Sequence, residues 1–569
     1  MTIKAFGEAG KAASVPGPLL RVPAGAQIRG SLRNALDRDT ITFYVAARVS
    51  RVATADQLDS LVVPPGETRD FRFTAATPGT YLYRASSRER VRRPLRIEAF
   101  LAGALIVDSA GVIGTPGERV LVLQGESDPT LSGAAVMAIN GRSWPHTERL
   151  HATVGDTLRL RVINASALFH PMHLHGSFYR VDAFNAEARG PQEEGAALGR
   201  MVVTERMPPA STMSIHWVPE RAGNWLFHCH FQEHVVPHRP IGGTGSTPEV
   251  QANHDDVNHA LTGMGGLVMG ILVQPISGEP VAEPARGRRK LRLVAVRDAG
   301  FPDSVPSMRF VLEEAGSPRR EAGTGFSPTI PLTRGEPVSI MVVNQLPEPT
   351  AVHWHGIELE SYFDGVPGFS GWEQRLAPAV PPGDSFEVRM TPPRSGTFMY
   401  HSHVDEPRQH RAGLVGALIV RDGGPSDTTS DLVFFIKSAR AGLLASPEFE
   451  INGRQDPDTL VLHVGRRYRL RFIGLQVTNP NAAVTLTARP DSVTGNPRDT
   501  ALVRWRPVAK DAIELPEADR AHRAAREVIS MGETRDFEFV PATRGQLRIE
   551  VRVSVPRPRL MVRVPIRVE

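Results

Sequence analysis

Residues 139–164 read INGRSWPHTERLHATVGDTLRLRVIN, and residues 451–474 answer them with INGRQDPDTLVLHVGRRYRLRFIG. Each stretch opens on an Asn-Gly turn signal and closes on a run in which apolar residues alternate with arginine, LRLRVI in one and YRLRFI in the other. Alternation with period two places one face of a strand in a core and the other in solvent, so both stretches predict antiparallel β structure.

The match continues outward. VPERAGNWLFHCH (218–230) and VPATRGQLRIEVR (540–552) close the two units. A second repeat precedes each of them. GPLLRVPAGAQIRGSLRNAL, VPPGETRDFRF, ATPGTYLY and FLAGALIVD lie within 17–108, and SPTIPLTRGEPVSIMVVNQL, VPPGDSFEVRM, PPRSGTFMY and GLVGALIVRD within 327–422. The chain therefore reads A–B–A′–B′, a tandem duplication of a two-domain unit. The expected fold class is all-β, four tandem β-sandwiches over 1–112, 113–280, 281–425 and 426–569. Linkers are expected near 108–118, 276–290 and 422–430, where Gly, Pro and Ser cluster. One short helix is expected, EADRAHRAARE (517–527), as an insertion in B′.

The 569 residues are 41% hydrophobic, enough for several cores and against wholesale disorder. Only five of the 66 basic residues are lysine, and 61 acidic residues nearly cancel them. With no basic block, a nucleic-acid partner is not expected. No stretch approaches the roughly 18 apolar residues of a membrane span. Residues 1–18 lack the apolar core of a secretion signal, which leaves the compartment undecided. A single cysteine excludes an intrachain disulfide and a Cys-rich zinc site.

Against that one cysteine stand 19 histidines, ten of them in four short motifs. These are HPMHLHG (His170, His173, His175), HCHFQEH (His228, Cys229, His230, His234), HWHG (His353, His355) and YHSH (His401, His403). Every motif contains His-x-His, which on a strand sets two imidazoles on one face. Four such pairs supply enough nitrogens for several metal ions. Cys229, between His228 and His230, then faces the interior of its own sandwich. With His170, His234 and a weak axial thioether, its thiolate makes a blue-copper donor set.

In these four motifs the chain resembles the multicopper oxidases, the laccase-like family built from cupredoxin-like Greek-key domains. The resemblance implies four copper ions per chain. It implies a type 1 copper held by His170, Cys229 and His234, with Cys229 carrying electrons onward. It implies a type 2 copper held by His173 and His353, and a type 3 pair held by His175, His228, His230, His355, His401 and His403. Asp364, in HWHGIELESYFDG, matches a family aspartate implied to relay protons. A further acid that some members carry directly after the second type 1 histidine is here Val235, so that relay is absent or comes from elsewhere.

The departures are specific. The motif order is reversed relative to the usual three-domain members. A carries Thr42-Phe43-Tyr44-Val45 and Arg84-Ala85-Ser86 at the ligand positions, and B′ carries Glu550-Val551-Arg552 in place of His-Cys-His. B and A′ together hold one full set, so a single trinuclear cluster is expected at their interface. The usual axial position, ten residues after the cysteine, is Arg239. GMGGLVMGILV, beginning at Gly263, makes Met264 the expected axial ligand, with Met269 the alternative. Residues 235–262 then form an inserted loop over the substrate entrance, read as a solvated surface loop or, through His238, His254, Asp255, Asp256 and His259, as a transient cation site. His146, His151, His216, His463 and His522 are expected to be surface or core fillers, whereas His410 lies near YHSH and is a candidate neighbour of the cluster.

The expected activity is one-electron oxidation of a small phenolic or aromatic reductant coupled to reduction of O2 to water. Oxidation of Cu(I) or Fe(II) is the alternative. A copper nitrite reductase needs only about three histidines at its catalytic copper, and eight in pairs count against it. A non-catalytic copper-binding cupredoxin is less expected, because one ligand set is complete. The resemblance implies a periplasmic or secreted location.

Overall fold

The computed structural model describes residues 3–45, 60–87, 98–109, 111, 114–127, 135–185, 199–236, 259–278, 287–424, 427, 429–440, 449–477, 481–488, 502–553 and 559–569. Among these residues the chain is built of strands, with α-helix only at His259–Thr262 and Glu406–Ala412. No helix among them is long and apolar enough to cross a membrane.

The sheets fall along the chain in facing sets. A five-stranded sheet and the pair Ala26–Arg33 with Thr68–Ala75 enclose Phe43, Phe73, Tyr83 and Leu105. Sheets of five and six strands follow within 118–274, two of four strands within 289–421, and two of seven and five strands within 431–568. Every set contains a parallel pair. Gly17–Pro23 lies parallel to Ala102–Asp108, Arg149–Thr153 to Val268–Gln274, Ile330–Thr333 to Val415–Arg421, and Leu460–Leu462 to Arg559–Val568. The last three sets contain a second, Glu118–Ser127 with Leu158–Asn164, Arg289–Arg297 with Val338–Asn344, and Asp431–Ser438 with Tyr468–Leu475. The antiparallel sandwiches expected from the alternation thus also contain parallel pairs. Alternation reports which face is buried, and pairing direction leaves no mark on it.

Equivalent residues of the repeat make equivalent contacts. Tyr83 Oη donates to Pro18 O at 2.6 Å and Tyr400 Oη to Pro328 O at 2.7 Å, each ring passing over a glycine of the GAL motif, Gly103 or Gly416. Asn140 and Asn452 both take positive φ, 50° and 52°. Asn140 bridges Val122 N and Val120 O, and Asn452 bridges Phe435 N and Val433 O.

The helix expected over 517–527 does not form. Glu517–Asp519 makes one 3-10 turn, and Arg526–Ser530 is a strand paired with Asn481–Ala488. Val528 and Ile529 are β-branched, and a free sheet edge offers them backbone partners that outweigh a weak helical pattern.

The cores converge on one region. The large cluster around Trp225, Phe227 and Cys229 continues into Met399, Val415 and Ile419 of A′ and Phe435, Ile473 and Met531 of B′. A second cluster, centred on Trp354 and Tyr400, takes in Phe178 and Val203 of B and Ala512 of B′. A meets B separately, through Leu82, Ala102 and Ala104 against Val122 and Ile163.

A Cβ on Gly416 would lie 2.5 Å from the Tyr400 ring, and one on Gly103 would overlap Tyr83 Oη. Gly416→Ala and Gly103→Ala are each expected to lower stability by about 1–3 kcal/mol, the range for overpacking a tight core. Chemical-denaturant midpoints measure the loss.

Candidate metal centre

The strand His170–Leu174 lies between Thr204–Met207 and Gly223–Cys229, with His173 opposite His228 and Met172 opposite Cys229. In A′ the strand Val352–His355 pairs with Gly396–Ser402, with His353 opposite His401. Ser361 Oγ donates to Asn224 O at 2.7 Å, and Asn224 Nδ2 to Phe369 O at 2.9 Å. These bonds lock the two histidine-bearing sheets face to face.

Two donor groups result. In the first, His170 Nδ1 and His234 Nδ1 are 3.0 Å apart, and Cys229 Sγ lies 3.6 and 3.4 Å from them. The centre of that triangle is about 1.9 Å from all three atoms, near the ~2.0–2.3 Å of metal–imidazole and metal–thiolate bonds. His170 Nε2 is held by Ser166 Oγ at 2.6 Å, which turns Nδ1 inward. Burial pushes the Cys229 thiol up and holds His170 down at about 3. Met264 and Met269 are both buried in the same core cluster. Gly265 N donates to Val235 O and Leu267 N to His234 O, so the segment that begins at Met264 is clamped to the His234 end of the site. Met269 stands opposite Phe227 in the ladder.

In the second group, eight buried histidines from B and A′ face one another. His173 Nε2 and His353 Nε2 are 3.4 Å apart, and His175 Nε2 and His228 Nε2 are 2.9 Å apart. In five of the rings the opposite nitrogen is taken up by the protein, whereas Nδ1 of His230 and of His403 is buried without a hydrogen-bond partner. His173 Nδ1 donates to Val203 O, His353 Nδ1 to Asp364 O, His228 Nδ1 to Cys229 O and His401 Nδ1 to Ser402 O, all at 2.8–2.9 Å. His175 Nδ1 meets Asp364 Oδ2 at 2.8 Å. Carbonyls only accept, so these bonds fix the tautomers that leave Nε2 bare. Nε2 of His230, His355 and His401 is buried without a hydrogen-bond partner. Desolvation first, and neighbouring imidazoles second, keep His173, His175, His230, His355, His401 and His403 well below the ordinary imidazole range. Neutral, orphaned, converging imidazole nitrogens are the donor set a borderline metal ion takes.

Several residues around this cluster carry no motif signal. Glu406, at the start of the helix Glu406–Ala412, is buried with Oε1 3.3 Å from His403 Nε2, and burial raises its carboxyl to about 8. His410, on the same helix, packs its ring 4.7 Å from His401, bonds Ser402 O at 2.7 Å through Nε2, and meets Gln232 through Nδ1. Thr204 Oγ1 lies 3.1 Å from His173 Nδ1. His259 is buried, its ring 5.9 Å from His403, so the surface-loop reading fails for this residue: the helix His259–Thr262 is held inward by Trp144 Nε1 donating to Ala260 O and by Ala260 N donating to Pro367 O. His238, His254, Asp255 and Asp256 lie outside the described residues.

The other two units have no such set at the equivalent motifs. In A, Tyr44 pairs with Arg84, whose guanidinium lies 5.9 Å from the Tyr44 ring. In B′, Glu550 is surrounded by Arg548, Arg552 and Arg563, and Val551 is in the core.

Paired β-sandwiches carrying a His-Cys-His triangle beside a polyhistidine cluster define a cupredoxin-like protein built to hold metal. A family model described as multicopper oxidase matches residues 9–111 and again 322–424, and a second of the same description matches 116–238, together more than half of the chain. The chain belongs to the multicopper oxidase family, and copper is the metal the family implies. It is similar to multicopper oxidase elcG of Phaeosphaeria nodorum, 39% identical over 103 residues, which are 18% of this chain and 15% of that protein. It is also similar to a probable nitrite reductase-hydroxylamine oxidoreductase fusion protein of Kuenenia stuttgartiensis, 26% identical over 249 residues, 40% of this chain and 27% of that one. The chain thus spans less than a third of the length of these relatives. Among solved structures, a blue copper oxidase from Nitrosomonas europaea aligns with 49% of this chain and 85% of its own, at 20% identity and a TM-score of 0.36.

Asp364 fixes two rings at once, one through its side chain and one through its carbonyl. Asp364→Ala is expected to weaken copper retention by the histidine cluster about 10- to 100-fold, the usual cost of losing a ligand-orienting partner. Competition with a chelator measures it, and the absorption of the Cys229 site is expected to survive.

Proposed function

We propose that this chain is a laccase-like oxidase that couples one-electron oxidation of a small phenolic or aromatic reductant to reduction of dioxygen. The observation that carries this reading is the convergence of bare, buried Nε2 atoms from two units beside a His₂Cys triangle. His170, Cys229, His234 and the thioether of Met264 would hold a type 1 copper. His173 and His353 would hold type 2, and His175, His228, His230, His355, His401 and His403 the type 3 pair, four ions per chain. When bound, copper supplies one-electron transfer at the first site and four-electron reduction of O2 to two waters at the second.

The chain's own contribution is wiring, orientation and proton supply. Cys229 is bonded through backbone to His228 and His230, so a single strand end serves both sites. Burial of every donor keeps bulk water away from the cluster and strengthens the electrostatics inside it. Asp364 holds His175 Nδ1 through Oδ2, which Ser370 Oγ also reaches at 3.2 Å, and this carboxylate is placed to pass protons to the cluster. Glu406, beside His403, is a second buried carboxyl and would stand in for the acid absent at Val235. The units 1–112, 113–280, 281–425 and 426–569 divide the work, the inner two carrying ligands and the outer two packing. A periplasmic or secreted location fits the family.

Copper-loaded protein is expected to bind about four ions per chain, to be intensely blue, and to consume oxygen with a phenol. Faster uptake with Fe(II) or Cu(I) than with any phenol would move the assignment to a metal oxidase, and one or two ions without oxygen uptake would overturn it. Cys229→Ser is expected to abolish both colour and turnover while circular dichroism stays unchanged.

A further inference from the structure

We infer that Asp511, contributed by the unit without ligands, is a positioning residue for the histidine cluster and acts through the peptide joining Val203 to Thr204. The inference rests on the copper reading given above.

The hairpin of Arg504–Lys510 and Ile513–Glu514 turns through Asp511 and Ala512, with φ of 47° and 62°. Two successive left-handed residues make the tight turn that suits twisted strands, and a non-glycine pair there is strained. The strained tip is wedged between two other units. Ala512 packs against Gly396, which opens the strand leading to His401, and belongs to the core cluster of A′. Asp511, 2% exposed, points into B.

There its Oδ2 accepts from Val203 N and Thr204 N, each at 3.2 Å, while Oδ1 accepts from Thr534 N at 2.9 Å. The Thr204 N–H and the Val203 C=O belong to one peptide. That carbonyl accepts from His173 Nδ1 at 2.8 Å, and Thr204 Oγ1 lies 3.1 Å from the same nitrogen. Carboxylate, peptide and imidazole are therefore in series, ending at His173 Nε2, which faces His353 across the B/A′ interface. A carboxylate behind the peptide polarises it, strengthens the His173 hydrogen bond and raises the basicity of Nε2, as a carboxylate bonded directly to a ligating histidine does.

The surroundings hold this arrangement in place. Lys510 Nζ bridges Glu205, the residue after Thr204, and Glu533, at 2.9 and 2.8 Å, and Arg200 closes on Glu205 from B. Gly532 touches the cluster itself, since a Cβ there would stand 2.9 Å from the His230 ring. B′ thus forms a wall of the histidine cluster although it carries none of its motifs.

The test uses copper-loaded full-length wild type, Asp511→Asn, Asp511→Gly and, for comparison, Asp536→Asn. Asp536 is another buried B′ carboxylate, bound to Thr397 and Arg471, and it is not a member of the series from Asp511 through the Val203–Thr204 peptide to His173. Glycine adopts the left-handed turn without strain, so Asp511→Gly carries the test if the asparagine variant does not fold. Both Asp511 variants are expected to shift the hyperfine splitting of the type 2 copper EPR signal and to lose cluster copper to a chelator about tenfold more readily. Their blue absorption is expected to stay at the wild-type value. An unchanged type 2 signal with wild-type copper retention would overturn the inference, as would an equal loss in Asp536→Asn. Wild-type protein that takes up no copper would overturn the reading on which the inference rests.

Discussion

Neutral imidazoles packed together out of water are the constraint on which the rest of this structure depends. Eight of them meet between B and A′, and several expose to one another a nitrogen that nothing in the protein satisfies. Each buried polar group left without a partner costs about 1–3 kcal/mol. Such a cluster stands only if rigid walls hold it open and a metal ion takes up the spare lone pairs. The walls are visible: two sheets clamped by Ser361 and Asn224, a helix bringing Glu406 and His410, and a strained turn from B′. Carbonyls and a carboxylate occupy the outer nitrogens of His173, His175, His228, His353 and His401, which turns the inner ones toward the cluster.

The two halves of the repeat differ in their donors: B and A′ carry the His-x-His motifs, and A and B′ do not. Tyr83 with Gly103 and Tyr400 with Gly416 show that the β scaffold of A was preserved in detail while His353 and His401 have no imidazole counterparts in Tyr44 and Arg84. At the position of His-Cys-His, B′ carries a buried Glu550 ringed by arginines, and a different edge, Lys510–Ile513 and Met531–Glu533, packs against the histidine cluster.

Much of this was legible in the sequence. Period-two alternation marked the strands, the INGR and GALIV stretches marked the repeat, and four His-x-His motifs marked the donors, because spacing along a strand fixes which face a side chain takes. What escaped were contacts made by residues far apart in sequence. Glu406, Thr204 and Asp511 stand in no motif, and nothing local to Asp511 reports that it reaches Val203, 308 residues earlier. The helical reading of 517–527 failed for a related reason, since the sheet edge that captured Val528 and Ile529 is supplied by residues 481–488. His259 was read with its loop, but its burial is decided by Trp144 and Pro367, outside that loop.

The most direct measurement is anomalous X-ray diffraction at the copper edge on crystals of the loaded chain. One peak inside the triangle of His170, Cys229 and His234, with three more among the paired histidines between B and A′, is the predicted result. Copper confined to surface histidines, or no peak between the two units, would contradict the account.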